Sequence, residues 1–343
     1  MATERIRKER EHPDFLVRPM HNLGPVPQLP LGALVEAGFP RPLMHWDGKA
    51  GLTARKQLWG ERVYGALRHI NLLVLAIAAK IRFKAPLMTL IYGVDAWQPL
   101  SALKTFLVRG VDQFVSISDV TRRKFQNWSG VRKKKVTLLP NAIHTGWYGV
   151  GPRNPDLVDR YDLHGKVVIM TLGRLVSSER YKGFDEVIDV MPGLVAKVPN
   201  LVYLIVGDGT DKHRLIAKAN DLGLAEHVRF AGMIPETEKA DHYRLADAYV
   251  MPSRGEGFGF VFLEAMACGI PVVASKLDGG KEAVLEGQLG VLVDPDNPTD
   301  VRRGILEALA RKAGVVPAGL QHFSFENFEK RSHDIVNHLI LAY

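Results

Sequence analysis

The sequence predicts a two-domain α/β protein with parallel β-sheets, and three observations support this. Short apolar segments alternate with helical periodicities along most of the chain. With 46% apolar and 24% charged residues, the composition is that of a folded globular protein rather than a disordered one. The 343 residues are enough for two domains with separate cores.

Eight segments are predicted as strands, since each is apolar and bounded by Gly, Pro, Asp or Ser: 87–92, 113–117, 136–139, 167–172, 201–206, 228–230, 248–251 and 272–274. Helical patterns lie between them, for example over 182–198 and 211–222. This βαβ order implies sheets covered on both faces, with ligand sites at the carboxyl ends of the strands.

Gly and Pro are concentrated in the segment 146–155, GWYGVGPRNP, which predicts a turn-rich linker. We therefore expect a first domain over 1–150 and a second over 151–320. The segment FSFENF and the helical pattern that follows it predict a final helix within 321–343.

Several classes of protein are disfavoured by composition. The longest apolar run, 70–79, is interrupted by Asn71 and is well short of the roughly 20 residues of a membrane span. The first 15 residues are charged throughout and lack the apolar stretch of a secretory signal. Cys268 is the only cysteine, so an intrachain disulfide and a cysteine metal cluster are excluded. We expect a cytoplasmic protein.

Basic residues are concentrated in the first part of the chain. Residues 1–150 hold 23 Lys and Arg against 10 Asp and Glu, a net charge of +13, whereas the remainder holds 22 against 27. Such a region suits an anionic membrane surface or a phosphate-bearing acceptor, since each basic residue near an anionic bilayer contributes about 1 kcal/mol. The densest clusters are predicted to form one patch: Arg122, Arg123, Lys124, Arg132, Lys133, Lys134 and Lys135.

Two other interpretations of these clusters stay open. Nucleic acid is a competing polyanion, but the absence of an aromatic-interleaved RNA motif and of a DNA-reading module disfavours it. The clusters are also compatible with a solvated face that has no partner.

The densest pattern of chemically useful residues lies between 254 and 275. Glu256 and Glu264 flank a turn with two glycines, which opens into an apolar helix predicted over 261–268 and ended by Gly269. A helix start binds phosphate through its N–H groups and positive dipole end. Carboxylates near it accept hydrogen bonds from hydroxyls. The arrangement suits a diphosphate that carries a sugar at each end.

This segment, EGFGFVFLEAMACGIPVVAS, resembles the E-x7-E signature of family 4 retaining glycosyltransferases, the glycosyl transferases group 1. The resemblance implies the GT-B fold, in which two Rossmann-like domains with parallel sheets face each other across a cleft. It also implies that Glu256 contacts the donor hexose and Glu264 the nucleotide ribose. Backbone groups near the phosphate would come from Gly257, Phe258, Gly259 and Phe260. The alternative is that both glutamates are surface carboxylates and that the glycines only turn the chain.

Two further elements resemble the same family. Gly173-Arg174-Leu175 resembles its G-R-L element, and Lys182-Gly183, eight residues after Arg174, resembles its K-G element. By this resemblance Arg174 and Lys182 hold the donor diphosphate, and Gly173 also contacts the donor. Fixed cations stabilise the charge of a departing nucleoside diphosphate without a metal ion, and we expect neither a metal nor another cofactor.

The loops after strands 201–206 and 228–230 contain Gly207, Gly209 and Met233. In the family these loops flank the nucleobase, so Gly207 and Met233 are predicted to contact the donor. The glycines would otherwise only end a strand. The donor is expected to be a UDP- or GDP-sugar, and the sequence does not choose between the two.

The first domain resembles the family less closely. Tyr92-Gly-Val-Asp95 resembles an H-G-x-D element with tyrosine in place of histidine, and a phenol is a poor base near neutral pH. Tyr92 is predicted to assist near the sugar, and Asp95 either orients an acceptor hydroxyl or caps a turn. His69 is a candidate for a structural or a catalytic role. Ser118 and Thr121 resemble an S-x-x-T-R element or begin a helix.

The start of the chain departs from the family, which opens with a strand and a glycine-rich turn. This chain has a charged stretch followed by HNLGPVPQLPLG. We therefore expect a shortened first domain, through a missing first strand, a late start site or a reduced acceptor domain. The final helix is expected to pack back toward the first domain.

These observations predict an enzyme that transfers a hexose from a nucleoside-diphosphate sugar to a hydroxyl acceptor with retention. The acceptor is expected to be a lipid-linked saccharide or glycolipid in exopolysaccharide, lipopolysaccharide or glycolipid assembly, reached from the inner face of the cell membrane. The alternatives are a non-catalytic descendant that binds nucleotide sugar or anionic membrane, a sugar-nucleotide epimerase and a polyanion-binding protein.

Overall fold

The structure is a computed structural model that describes Ile70, residues 73–342 and five short strands before them. These strands are β1 (Met44–Trp46), β2 (Leu52–Ala54), β3 (Leu58–Trp59), β4 (Arg62–Val63) and β5 (Gly65–Leu67). β1 pairs with β2 and β3 with β4, both antiparallel. The predictions of a missing first strand and glycine turn, and of a role for His69, lie outside the described residues.

Between residues 70 and 342 strands and helices alternate. The strands are β6 (Leu87–Ile91), β7 (Gln113–Ser116), β8 (Val136–Leu138), β9 (Val167–Leu172), β10 (Leu201–Val206), β11 (Val228–Gly232), β12 (Ala248–Met251), β13 (Val272–Ser275) and β14 (Val291–Val293). The helices are α1 (Leu73–Phe83), α2 (Val94–Trp97), α3 (Ala102–Leu107), α4 (Asp119–Ser129), α5 (Pro155–Arg160), α6 (Phe184–Val195), α7 (Lys212–Asp221), α8 (Lys239–Arg244), α9 (Phe260–Ala267), α10 (Gly280–Ala283), α11 (Pro298–Ala310) and α12 (Phe325–Ala342).

All eight predicted strands are present, and their ends differ from the predicted ones by no more than two residues. The strands β1 to β5 and β14 were not predicted. The helix predicted over 182–198 was wrong at its start. Ser177–Lys182 forms a 3₁₀ turn, and Gly183 then adopts a left-handed conformation (φ 90°) before α6 begins.

Contacts divide the chain into two compact units. The first contains the described residues up to Ser116, Lys124–Leu139 and the last helix from Phe328. The second contains Ile117–Arg123 and Pro140–Asn327. The domain limits predicted at residues 150 and 320 stay predictions.

The first unit contains a four-stranded sheet in the order β5-β6-β7-β8, with all neighbours parallel. Every residue of β6 is buried, as expected for a strand of a parallel sheet covered on both faces. The core beside the sheet includes Phe114 and Phe125, whose ring centroids are 4.8 Å apart, and Trp128, which packs edge-on against Phe125.

The second unit contains a six-stranded parallel sheet in the order β11-β10-β9-β12-β13-β14. The chain runs outward from β9 to β11 on one side, then returns to place β12 against β9 and continues outward on the other. The strand order therefore reverses between β9 and β12. In open α/β sheets, ligands bind at such a switch point, outside the carboxyl ends of the strands.

The loops after β9 and β10 touch at two glycines. Gly207 has φ 136°, and a Cβ atom built on it would lie 1.9 Å from the carbonyl oxygen of Gly173. The Gly173 N–H donates to the Val206 carbonyl at 2.9 Å. Gly207 therefore has a packing role, because only a residue without a side chain allows the two backbones to approach this closely.

We predict that Gly207→Ala destabilises the second unit more than Gly223→Ala does. Both glycines have positive φ, but a Cβ at Gly223 would meet nothing within 4 Å. Gly223→Ala should therefore cost about 1 kcal/mol for the backbone conformation alone, whereas Gly207→Ala should cost about 3 kcal/mol or more because the backbones must separate. Urea denaturation of both variants measures the difference, and equal losses would contradict the proposed close approach.

Candidate functional site

The loop between β12 and α9 carries the first predicted glutamate. Gly259 is left-handed, with φ 92°, and precedes the first residue of α9, Phe260. This helix starts where predicted to within one residue, and its first N–H groups have no partners within the helix. The side chain of Phe258, in the same loop, is buried. The positive end of α9 and the side chain of Glu256 thus come from one short segment at the switch point.

Glu256 forms an ion pair with Lys182, one of the two cations predicted to hold the diphosphate. Its Oε1 lies 2.9 Å from Nζ of Lys182, and the same Nζ lies 3.6 Å from Oε2 of Glu179. Glu179 also accepts a hydrogen bond from Arg174. Two cations and two carboxylates therefore alternate along the loops after β9 and β12.

The protonation state of Lys182 follows from these contacts. Burial acts to lower its pKa, but the charges of Glu256 and Glu179 outweigh burial and raise the pKa above the ordinary lysine value. Lys182 is therefore a fixed cation with a mostly buried stem, as a group that recognises phosphate requires.

Glu264 lies one helical turn into α9 and is held by two residues of α8. Nζ of Lys239 lies 2.7 Å from its Oε1, and the hydroxyl of Tyr243 donates to its Oε2 at 2.7 Å. Burial and the charge of Glu264 raise the pKa of Tyr243 well above the usual value, so the phenol stays a donor. Neither Glu256 nor Glu264 is an ordinary surface carboxylate, because both are largely buried and ion-paired.

A third carboxylate, Asp278, lies behind the glutamate loop. It is fully buried and accepts hydrogen bonds from the Ser253 hydroxyl at 2.6 Å, the Glu256 N–H at 2.8 Å and the Gly280 N–H at 2.9 Å. Burial raises the pKa of Asp278 to about 6, and these hydrogen bonds oppose part of that rise.

The second unit brings together most of the predicted donor residues at the carboxyl edge of its sheet. The loops after β9, β10 and β12 carry Gly173, Arg174, Lys182, Gly207, Glu256, Gly257, Phe258 and Gly259, and α9 carries Phe260 and Glu264. Met233 follows β11, and 83% of it is exposed. Tyr92 and Asp95 lie in the first unit, directly after β6 and in α2.

The basic clusters prove to be less uniform than the sequence predicts. Arg122 and Arg123 form ion pairs with Asp119, and Nζ of Lys124 lies 3.5 Å from the centre of the Trp97 ring. Nζ of Lys135 donates to the Val111 carbonyl at 2.8 Å. The remaining three are exposed: Arg132, Lys133 and Lys134.

Several residues at this site escaped the sequence analysis. Glu179 lies between the G-R-L and K-G elements, so its position was the only available signal. Glu282 accepts hydrogen bonds from the N–H groups of Asp119 at 2.7 Å and Val120 at 2.9 Å. It thereby caps the first turn of α4, where the Ser118 hydroxyl also accepts from the N–H of Thr121. Partners that are distant in sequence leave no periodic pattern in the sequence.

No group of three His, Cys, Asp or Glu in the described residues could hold a metal ion.

The two parallel sheets and the switch-point loops define a protein of the GT-B fold. HepE of Anabaena, solved in complex with UDP and glucose, superposes with a TM-score of 0.66 at 21% identity, over 79% of this chain and 77% of that one. Sucrose-phosphate synthase of Thermosynechococcus elongatus also gives a TM-score of 0.66, at 19% identity, over 91% of this chain and 92% of that one.

A sequence profile of glycosyl transferases group 1 matches residues 160–314, and the chain belongs to this family. It is 33% identical over 249 residues to the GDP-mannose-dependent alpha-(1-6)-phosphatidylinositol monomannoside mannosyltransferase of Mycolicibacterium smegmatis, covering 69% of this chain and 64% of the relative. It is 36% identical over 206 residues to the phosphatidyl-myo-inositol mannosyltransferase of the same organism, covering 59% of this chain and 50% of the relative. The chain thus spans between half and two thirds of these relatives.

We predict that Asp278 makes stability fall as the pH rises from about 4 to 7. Its pKa is about 6 in the folded protein against an ordinary value of 3.8, so the folded state binds the proton more tightly. Protonation of Asp278 therefore stabilises the folded state. This stabilisation is complete below the pKa that Asp278 has in the unfolded chain, and it is lost as the pH rises through the pKa that Asp278 has in the folded protein. The free energy of unfolding of the wild type, relative to Asp278→Asn, should decrease by up to about 3 kcal/mol over this range.

Urea denaturation at several pH values measures this difference. A difference between the two proteins that does not change with pH would show that Asp278 does not titrate in this window.

Proposed function

We propose that this protein is a glycosyltransferase that moves mannose from GDP-mannose to a hydroxyl group of an inositol-containing glycolipid. The observation that carries this proposal is the Lys182–Glu256 ion pair at the start of α9, with Arg174 and Glu264 beside it. The names of the relatives support the choice of donor and acceptor, since one is GDP-mannose-dependent and both act on phosphatidylinositol lipids.

In this proposal the donor diphosphate lies against the N-terminus of α9 and takes over the contacts of Lys182 and Arg174. The helix end and the two cations together offset its negative charge. Lys182 would then leave Glu256, whose carboxylate becomes available to accept hydrogen bonds from the mannose hydroxyls. Glu264, oriented by Lys239 and Tyr243, would accept from the ribose hydroxyls.

We propose that transfer proceeds with retention and without a metal ion. The bond between the anomeric carbon and the phosphate oxygen breaks, the acceptor oxygen bonds to the same face of that carbon, and the hydroxyl proton passes to the departing phosphate. The developing charge of the diphosphate is stabilised by Arg174, Lys182 and the α9 N–H groups. Glu256 orients the sugar and is not a covalent nucleophile. Tyr92 and Asp95 are proposed to contact the acceptor, with Tyr92 as a hydrogen-bond donor.

A lipid acceptor requires access to a membrane surface, and the first unit has a suitable face. α1 packs against α3, and together they expose Ile81, Leu103 and Phe106, which are 72%, 60% and 68% accessible. Exposed basic residues accompany them: Arg82, Lys84 and Arg109. In the part of the chain that the structure describes, no helix has the length and apolar character of a membrane span. From the exposed apolar and basic side chains of this face, we propose peripheral binding to anionic lipid at the inner face of the membrane, to which Arg132, Lys133 and Lys134 also contribute.

We expect GDP and GDP-mannose, but not UDP, to raise the melting temperature of the purified protein, and the rise to survive EDTA. Lys182→Ala and Glu264→Ala should each weaken GDP-mannose binding about tenfold or more, because each removes a charged hydrogen-bonding partner. Lys197→Ala, an exposed lysine of the same unit, serves as the control and should bind normally. Normal binding by both site variants would show that the donor lies elsewhere.

The reaction itself is measured by transfer of labelled mannose to phosphatidylinositol, followed by analysis of the anomeric configuration of the product. An α-linked product from GDP-α-mannose supports retention. Donor binding without transfer would favour a non-catalytic descendant, and conversion of the donor sugar without an acceptor would favour an epimerase.

We expect the protein to sediment with vesicles that contain phosphatidylinositol or phosphatidylserine and to remain in the supernatant with neutral phosphatidylcholine. The double variant Leu103→Glu, Phe106→Glu should reduce the bound fraction about tenfold, since it replaces exposed apolar side chains that would insert into the bilayer with negative charges that anionic lipid repels. Val316→Glu, at an exposed apolar position of the second unit, is the control. Equal binding by all three proteins would exclude this face.

A further inference from the structure

Asp278 lies next to the proposed sugar-binding glutamate but was not part of the predicted site. Its Oδ2 accepts both the Ser253 hydroxyl and the Glu256 N–H, and its Oδ1 accepts the Gly280 N–H. The Asp278 side chain therefore links the loop between β12 and α9 to the start of α10.

The neighbouring residue completes the contact. The N–H of Gly279 donates to the carbonyl of Glu256 at 2.9 Å, so both backbone polar groups of Glu256 are bound by the segment 278–279. A Cβ on Gly279 would lie 2.2 Å from the carbonyl oxygen of Gly257, which leaves no room for the glutamate loop to move toward this segment.

The chemistry of the site explains why a carboxylate is needed here. A carboxylate accepts hydrogen bonds at both oxygens, whereas an asparagine amide would turn N–H groups toward one of the donors. A buried charge is unfavourable, and this is seen in the raised pKa of Asp278. The fold therefore keeps a carboxyl group that lowers the stability of the protein at neutral pH, at a position where it accepts a hydrogen bond from the Glu256 N–H.

We propose that Asp278 is a positioning residue, which sets the place of the Glu256 carboxylate by holding the Glu256 backbone. The proposal rests on the proposed function, because it assigns Glu256 to the transferred sugar. Glu264 has its own partners on α8, so Asp278 controls the sugar end of the donor and not the nucleoside end. A shift of about 1 Å at a group that orients a substrate can reduce a rate about 100-fold.

The test is a double-mutant cycle between Asp278→Asn and Glu256→Gln, read by kcat and KM for GDP-mannose and by the Kd for GDP. Asp278→Asn should lower kcat at least about tenfold and change the Kd for GDP less than about threefold. In the Glu256→Gln background it should have little further effect, because residues that act through one group are not additive. Additive losses, or a matching loss of GDP affinity, would overturn the proposal.

Asp300→Asn is the matched control, since Asp300 also accepts a backbone N–H, that of Asp294, together with Lys276 and Arg303. It should keep the wild-type kcat. If Asp278→Asn does not fold, the wild type carries the test, because protonation of Asp278 also weakens its hold on Glu256. The kcat of the wild type should decrease when the pH is lowered below about 6, while its affinity for GDP should not change. A kcat that does not change over this pH range would overturn the proposal.

The charged group that faces Asp278 is Glu256, which is itself paired with Lys182. The same pH profile is therefore recorded for Glu256→Gln.

Failure of the proposed function is distinguishable from failure of this inference. A wild type that neither binds GDP nor transfers mannose refutes the function, whereas an active wild type with additive variants refutes only the role of Asp278.

Discussion

The ion pair between Lys182 and Glu256 is the interaction on which the rest of the site depends. It joins the loops after β9 and β12, the two strands between which the sheet order reverses. Inside a protein a charge is stable only when its partners are held in good geometry. Glu179 is a second ion-pair partner of Lys182 and also accepts a hydrogen bond from Arg174. The charges of these four side chains therefore balance, and in the proposed function an incoming diphosphate would exchange partners with them rather than meet an uncompensated cluster.

Close backbone contact keeps these loops in place. A Cβ on Gly183 would lie 2.6 Å from the carbonyl oxygen of Pro252, and one on Gly255 would lie 2.6 Å from the Tyr181 ring. The Arg254 N–H donates to the Tyr181 carbonyl at 2.8 Å. The K-G element and the glutamate loop are thus packed directly on each other. Such preorganisation matters because electrostatic stabilisation is largest when the charged groups do not have to reorient during the reaction.

The four carboxylates of the site differ because their surroundings differ. Glu256 faces a lysine, Glu264 lies between a lysine and a tyrosine, and Glu179 bridges two cations. Asp278 contacts only neutral donors in the described structure and is fully buried, and burial raises its pKa to about 6. An ion-paired carboxylate is suited to binding a substrate, because it can exchange its cationic partner for a group of the substrate. Asp278, which is bound by backbone N–H groups, is suited to holding a loop in place.

The sequence by itself predicted eight of the ten strands of the two parallel sheets and, to within one residue, the helix that begins at Phe260, because apolar runs and glycine turns are local properties of the chain. The grouping of Arg174, Lys182, Glu256 and Glu264 into one donor site was implied by the resemblance of short motifs to a known family. The sequence could not place Glu179 and Asp278, or join Glu282 to the first turn of α4. Their partners are distant in sequence or come from the opposite side of a turn, and hydrogen bonds of this kind leave no pattern. It also predicted one basic patch, whereas ion pairs with Asp119 engage Arg122 and Arg123. Which charges are paired, buried or exposed was decided only by the tertiary structure, because these properties depend on what packs around a side chain and not on its neighbours along the chain.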